Sequence, residues 1–297
     1  MTTPLRIAIA GLGTVGGAVV KALHRRGDEL SRRAGRSLEI VAVSARERGK
    51  ARSGDISGFA WQPDAIALAK TKADVVVELI GGEDGVARAT VEAALQAGKH
   101  VVTANKALLA RHGARLALSA EDKSLALKFE AAIAGGIPIV KALRESLIAH
   151  GVVAVRGILN GTCNFILTNM EATGRPFAEV LRDAQSLGYA EADPSLDVGG
   201  GDTAHKLALL SSLAFGTKPD LDHMTVEGIE RITPDDIRFA REFGFRIKLL
   251  GIARRVGEGI DQRVQPAMVR ASTPLADVDG AFNAVLADAG EAGPYFF

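Results

Sequence analysis

The sequence has 297 residues, 47% of them hydrophobic, and its 36 Lys plus Arg against 35 Asp plus Glu leave a formal net charge of +1. That length predicts two domains, and the charge balance excludes an electrostatic case for nucleic acid or an anionic membrane as partner. A single cysteine, Cys163, excludes an intrachain disulfide and a cysteine metal cluster; no apolar run reaches the length of a membrane span and no signal-peptide pattern opens the chain, so the expectation is a soluble cytoplasmic protein.

Apolar runs at Leu5–Ala10, Leu38–Ser44, 73–80, 100–104 and 125–130 predict five buried strands, and helical periodicity between them includes 86–97 and 106–120. Strands without polar alternation, separated by helices, predict an α/β unit with a parallel sheet covered on both faces. Right-handed connections make it a doubly wound, Rossmann-type sheet. The pattern changes after Glu130. Ala134-Gly135-Gly136-Ile137-Pro138 punctuates the chain, a helix is predicted over 140–150 and a strand over 152–159. Helices over 161–173, 177–187 and 202–215 and strands over 246–254 and 262–270 complete an α+β domain.

The first strand runs directly into Gly11-Leu12-Gly13-Thr14-Val15-Gly16, which opens a helix expected to reach about His24. Gly11 suits the tight turn, Gly13 a close backbone approach to a pyrophosphate, and Gly16 close helix–strand packing. In this setting the turn predicts a nicotinamide dinucleotide site; a purely structural strand–helix turn is the plainer alternative. The second strand ends Val43-Ser44-Ala45-Arg46, without the acid that binds the ribose of NAD. Arg46 suits a 2′-phosphate, which favours NADP(H) over NAD(H), although an exposed basic loop has the same composition. Gly81, Thr103 and Lys106 close the third and fourth strands, where ligands of open α/β sheets bind. Lys106 is equally placed for a solvated helix-start lysine.

A second group of charges lies at Gly188-Tyr189-Ala190-Glu191-Ala192-Asp193-Pro194 and beyond Gly199-Gly200-Gly201. Asp202 is expected to cap a helix, with Lys206 one turn along on the same face. The rest of that helix is Ala, Leu and Ser, so it is buried, and the lysine lies at a domain edge or faces a cleft. Spacing alone is also that of an ordinary intrahelical ion pair. Cys163 has no histidine partner in any local pattern and reads as a buried apolar residue rather than a nucleophile.

The turn 11–16, Thr103-Ala104-Asn105-Lys106, the stretch 130–138, Gly157-Ile158-Leu159-Asn160-Gly161-Thr162-Cys163-Asn164-Phe165, 188–194 and Gly201-Asp202-Thr203-Ala204-His205-Lys206 together resemble the homoserine dehydrogenase family, across nearly the whole chain. The resemblance implies interconversion of L-aspartate 4-semialdehyde and L-homoserine with NAD(P)(H), in threonine, methionine and isoleucine biosynthesis. It assigns Lys206 as proton donor, Asp202 as its orienting group, Lys106 to the cofactor and the substrate oxygen, and Glu191 with Gly188 and Tyr189 to the substrate. It implies a sodium ion on Glu130 and the backbone carbonyls of Ile133, Gly135 and Ile137, a reasonable set of hard oxygen donors. Domains follow as 1–135 for the dinucleotide and 136–284 for substrate and homodimerisation, with 285–297 returning to the first. The family has Thr at the position of Cys163. It also continues past Gly293-Pro294-Tyr295-Phe296-Phe297 into a Gly-rich stretch and a helix near the nicotinamide. A catalytically impaired dinucleotide-binding protein is therefore the second reading, and aspartate-semialdehyde dehydrogenase, which needs a nucleophilic cysteine, the enzymatic one.

Overall fold

A computed structural model describes residues 3–297. The chain divides into two compact units, the first ending at Ala132 and the second running from Ile133 to Phe297, where the sequence reading sets the boundary at 135.

In the first unit β1 (Leu5–Ala10), α1 (Thr14–Ala34), β2 (Leu38–Ser44), β3 (Ala60–Gln62), β4 (Val75–Glu78), α2 (Val86–Gln96), β5 (His100–Thr103), α3 (Lys106–Glu121) and β6 (Leu127–Lys128) follow in order. The strands form one sheet, β3-β2-β1-β4-β5-β6, and every pairing is parallel. This is the doubly wound order, and it reverses between β1 and β4, where such sheets open a crevice at their carboxyl ends. The apolar runs are buried as expected: Ile9, Val43, Val76 and Val101 are inaccessible to solvent. Helix α1 continues well past His24. Arg26 departs from helical dihedrals, but the helix resumes and ends at Gly35 in the left-handed conformation. Arg26 and Arg33 both pair with Glu29 on the surface of α1.

The second unit contains α4 (Ile139–Lys141), β7 (Ala154–Ile158), α5 (Gly161–Thr173), α6 (Phe177–Ser186), α7 (Ser195–Val198), α8 (Gly201–Phe215), β8 (Thr225–Val226), α9 (Pro234–Glu242), β9 (Phe245–Val256), β10 (Gly259–Arg270), β11 (Ala284–Asp288) and β12 (Pro294–Phe296). Its sheet has the order β12-β11-β7-β9-β10-β8. The helix expected over 140–150 is α4 followed by a π-helical stretch, Ala142–Ser146, and a 3-10 turn, Ile148–His150. Residues 285–297 do not return to the first sheet. β11 pairs with β7 and β12 with β11, both antiparallel, and backbone bonds between Val285 and Phe297 extend that ladder. Helix α8 packs on β9 and β10. It comes close at Gly251, where a Cβ would stand 3.3 Å from both Leu207 Cδ1 and Thr203 Cγ2.

Arg6 at the start of β1 and Asp74 before β4 tie the amino ends of the two central strands. The Arg6 backbone N–H donates to Asp74 Oδ2 at 2.8 Å and Nη2 to Oδ1 at 2.7 Å. These donors hold the Asp74 carboxyl at about 2, against an ordinary value near 4. A depressed folded-state pKa stabilises above the ordinary carboxylate range and is lost as pH falls toward the folded value. Asp74→Asn is therefore expected to lower the urea midpoint at pH 7, with the gap to wild type narrowing between about pH 4 and pH 2. A gap independent of pH over that range would refute the assignment.

Candidate active site

The turn after β1 has the shape of a phosphate cradle. Gly11 adopts φ +93°, and a Cβ there would stand 2.5 Å from the Leu79 carbonyl oxygen. A Cβ on Gly16 would collide with the Gly11 carbonyl. Around Gly13, the residue preceding α1, a Cβ would meet nothing within 4 Å. The backbone at the head of α1 thus faces open space, with Leu12 buried beneath it and Thr14 and Val15 exposed. This arrangement fits a dinucleotide pyrophosphate.

A buried carboxylate holds the neighbouring loops. Glu78, at the carboxyl end of β4, is inaccessible to solvent. It accepts from the backbone N–H of Ile80 at 2.7 Å and of Gly81 at 3.2 Å, and from the Thr103 hydroxyl at 2.6 Å. Thr103 is buried, and its hydroxyl also accepts from Asn105 N–H. Its side chain is engaged inside the sheet, so only its backbone remains for the cofactor contact expected of it. Asn105 caps α3 by accepting from Leu108 N–H, and its amide donates to the Gly82 carbonyl at 2.7 Å. Lys106 follows as the first residue of α3 and is half-buried. Gly81 and Arg46 are exposed. Glu130 opens a short 3-10 turn, Glu130–Ala132, with its side chain exposed; Ile133 is buried, Gly135 exposed and Ile137 half-buried.

In the second unit the predicted pair forms. Lys206 Nζ lies 2.8 Å from Asp202 Oδ2 and donates to the Leu159 carbonyl at 2.6 Å. The Asp202 side chain is 6% exposed and that of Lys206 16%, so this is a largely desolvated pair and not the exposed ion pair that spacing alone allows. Two ammonium hydrogens are taken by these acceptors, and a third can be given outward. Asp202 does not cap α8. Gly200 precedes the helix at φ 86° without a side-chain cap, and Asp202 stands inside the first turn.

Asn160 and Asp197 were not among the expected site residues. The Asn160 amide donates to Asp202 Oδ2 at 2.9 Å and to Asp197 Oδ1 at 2.8 Å. Its oxygen accepts from Cys163 N–H at 2.8 Å and caps α5. An Asn just ahead of a predicted helix is a capping signal, whereas nothing in the sequence marks Asp197. Glu191 and Gly188 are exposed. The loop that carries them is pinned by the Thr162 hydroxyl, which donates to the Tyr189 carbonyl at 2.7 Å, and by Tyr189 stacking on Phe165 at 4.5 Å.

Cys163 is fully buried, and its thiol donates to the Asp197 carbonyl at 3.2 Å. Burial, followed by the nearby Asp197 and Asp202 carboxylates, pushes the thiol far up from its ordinary value. It stays protonated, which removes the nucleophile that aspartate-semialdehyde dehydrogenase chemistry needs.

A family model described as "Homoserine dehydrogenase" matches residues 138–297, and one described as "Homoserine dehydrogenase, NAD binding domain" matches 11–130. The chain is 46% identical over 290 residues to a homoserine dehydrogenase of Neisseria gonorrhoeae, covering 98% of this chain and 66% of that protein. It is 45% identical over 297 residues to one from Pseudomonas aeruginosa, again covering 66% of the relative. The chain thus spans 66% of the length of these curated relatives. A solved structure of a homoserine dehydrogenase from Thiobacillus denitrificans superposes with a TM-score of 0.95 at 46% identity, covering 99% of this chain and 68% of that one.

Removing the Asn160 side chain deletes a helix cap and leaves two carboxylates short of a donor. Asn160→Ala is expected to cost about 2 kcal/mol or more of stability in urea unfolding. A loss below about 0.5 kcal/mol, the range of ordinary surface changes, would show that the network is not structural.

Proposed function

Because the chain belongs to the homoserine dehydrogenase family, we propose that it interconverts L-aspartate 4-semialdehyde and L-homoserine, with NADP(H) preferred over NAD(H). The observation that carries this reading is the Asp202–Lys206 pair, with Lys206 Nζ held against the Leu159 carbonyl. When bound, the dihydronicotinamide supplies a hydride to the aldehyde carbon. Lys206 gives a proton to the oxygen that would otherwise become an alkoxide, and its charge stabilises that oxygen as negative charge develops. Asp202 and the Leu159 carbonyl orient the ammonium. Glu191 takes the substrate's ammonium group, and Gly188 and Tyr189 line the substrate. Lys106 serves the cofactor and the substrate oxygen. In the reverse direction Lys206 accepts the proton from the alcohol.

The cradle at Gly11, Leu12, Gly13, Thr14, Val15 and Gly16 holds the pyrophosphate, with Gly81 and the Thr103 backbone beside it. Support for NADP(H) is Arg46 in the place of the usual acid. Glu130 with the carbonyls of Ile133, Gly135 and Ile137 forms a hard oxygen donor set of a kind that suits sodium. By the family resemblance the protein works as a homodimer, assembled through the second unit's sheet, in the biosynthesis of threonine, methionine and isoleucine; a cytoplasmic location is the default reading of its sequence. Among the described residues no helix is long and apolar enough to cross a membrane. Nothing favours the catalytically impaired alternative, since the Asp202–Lys206 pair stands at hydrogen-bonding distance.

Lys206→Ala is expected to lower kcat by roughly 10²–10⁴-fold while dinucleotide binding, followed by calorimetry, is unchanged. Near-normal kcat would remove Lys206 from the proton-transfer role. In steady-state assays NADPH is expected to give the higher kcat/KM, and Arg46→Ala to raise the KM for NADPH by about tenfold or more with little effect on NADH. Equal or better use of NADH by the wild type would overturn the preference.

A further inference from the structure

The segment between β2 and β3 leaves the sheet where the ribose 2′ position of a dinucleotide lies in doubly wound folds. It carries Arg46, Arg48, Lys50 and Arg52. Arg46, Arg48 and Lys50 are exposed, but Arg52 is half-buried and turns back into its own loop. Its Nη1 donates to the carbonyls of Arg48 at 2.9 Å and Lys50 at 2.6 Å, and its Nη2 donates to the carbonyl of Glu47. The guanidinium lies 5.7 Å from the ring centroid of Trp61, and that of Arg48 lies 6.0 Å from the same ring. Trp61 is fixed in β3, paired with Val43 of β2, and packs on the apolar cluster beneath β1 and β2. The loop's other end bears on α1: a Cβ on Gly17 would stand 2.6 Å from Ser53 Oγ, and one on Gly54 2.7 Å from Val20 Cγ1.

Against these four cations the segment has only the carboxylates of Glu47 and Asp55, and the excess positive charge favours splaying in a free loop. Here one guanidinium gathers three carbonyls and clamps them to an anchored tryptophan. The planar fork of five donors can do this; a lysine, with a single nitrogen and no flat face, cannot do both. We infer that Arg52 is a positioning residue for cofactor selection: it fixes the backbone that presents Arg46 and Arg48 to a 2′-phosphate, without touching the phosphate itself. The inference rests on the NADP(H) reading above. An anion site assembled before binding loses less affinity to ordering its loop than one that must form around its ligand.

The test titrates the full chain with adenosine 2′,5′-bisphosphate and with adenosine 5′-monophosphate. Binding is followed by calorimetry and by the fluorescence of Trp61, the one tryptophan in the sequence. Wild type is expected to bind the bisphosphate about tenfold more tightly or better. Arg52→Ala is expected to remove most of that discrimination, weakening the bisphosphate by about tenfold and the monophosphate by less than about twofold, with an unchanged circular dichroism spectrum. Arg52→Lys should restore only part of it, and this variant carries the test should the alanine variant not fold. Equal weakening of both ligands, or no change in either, would overturn the role of Arg52. Retained discrimination in Arg52→Ala alongside its loss in Arg46→Ala would overturn that role while leaving the NADP(H) reading standing. Wild type binding both ligands equally would overturn that reading and the inference with it.

Discussion

The second unit is organised around one oxygen atom. Asp202 Oδ2 receives both the Asn160 amide and the Lys206 ammonium while Asp202 is only 4% exposed. A carboxylate withdrawn from water is tolerable only when paired and hydrogen-bonded, so its two donors must be held in place. Asn160 is held because it caps α5 and also reaches Asp197 of α7. Lys206 is held because it reaches the carbonyl of Leu159, beyond the end of β7. The end of a strand and three helices therefore converge on a single charge. The same bonds that make that charge bearable fix the ammonium that the proposed chemistry uses, which is the preorganisation that electrostatic catalysis requires.

The first unit solves a similar problem with Glu78. The reversal of the sheet between β1 and β4 parts the loops after those two strands, and one buried side chain ties the loops after β4 and β5 together. Glu78 gathers two backbone N–H groups of one loop and the hydroxyl of Thr103 at the start of the other. Asn105 repeats the stitch from β5 back to Gly82. In both units a buried polar side chain near a strand terminus ties separate segments together by hydrogen bonds.

Much of this architecture is legible in the residues. The strands Leu5–Ala10 and Leu38–Ser44 were expected with those bounds, because uninterrupted apolar runs bounded by turn residues admit few other readings. Helix α9 carried a signal that periodicity arguments passed over: Thr233 and Asp236 form a capping box with Pro234 at the first position. Strands β11 and β12 are short and carry no distinct period, so their pairing depends on β7 being there to receive them. That dependence is also why 285–297 belongs to the second sheet.

The sequence by itself determined the glycine cradle, the basic loop after β2 and the Asp202–Lys206 pair, because each is set by spacing within one turn, one loop or one helix face. Only the tertiary structure decided that Asp202 lies inside its helix with a buried amide for a partner, that Thr103 turns inward to Glu78, and that Arg52 closes on Trp61. Asn160 and Asp202 stand 42 positions apart, and Thr103 and Glu78 stand 25 apart. Contacts of that span form only when strands and helices pack, and local patterns carry no record of which buried charge will need which donor.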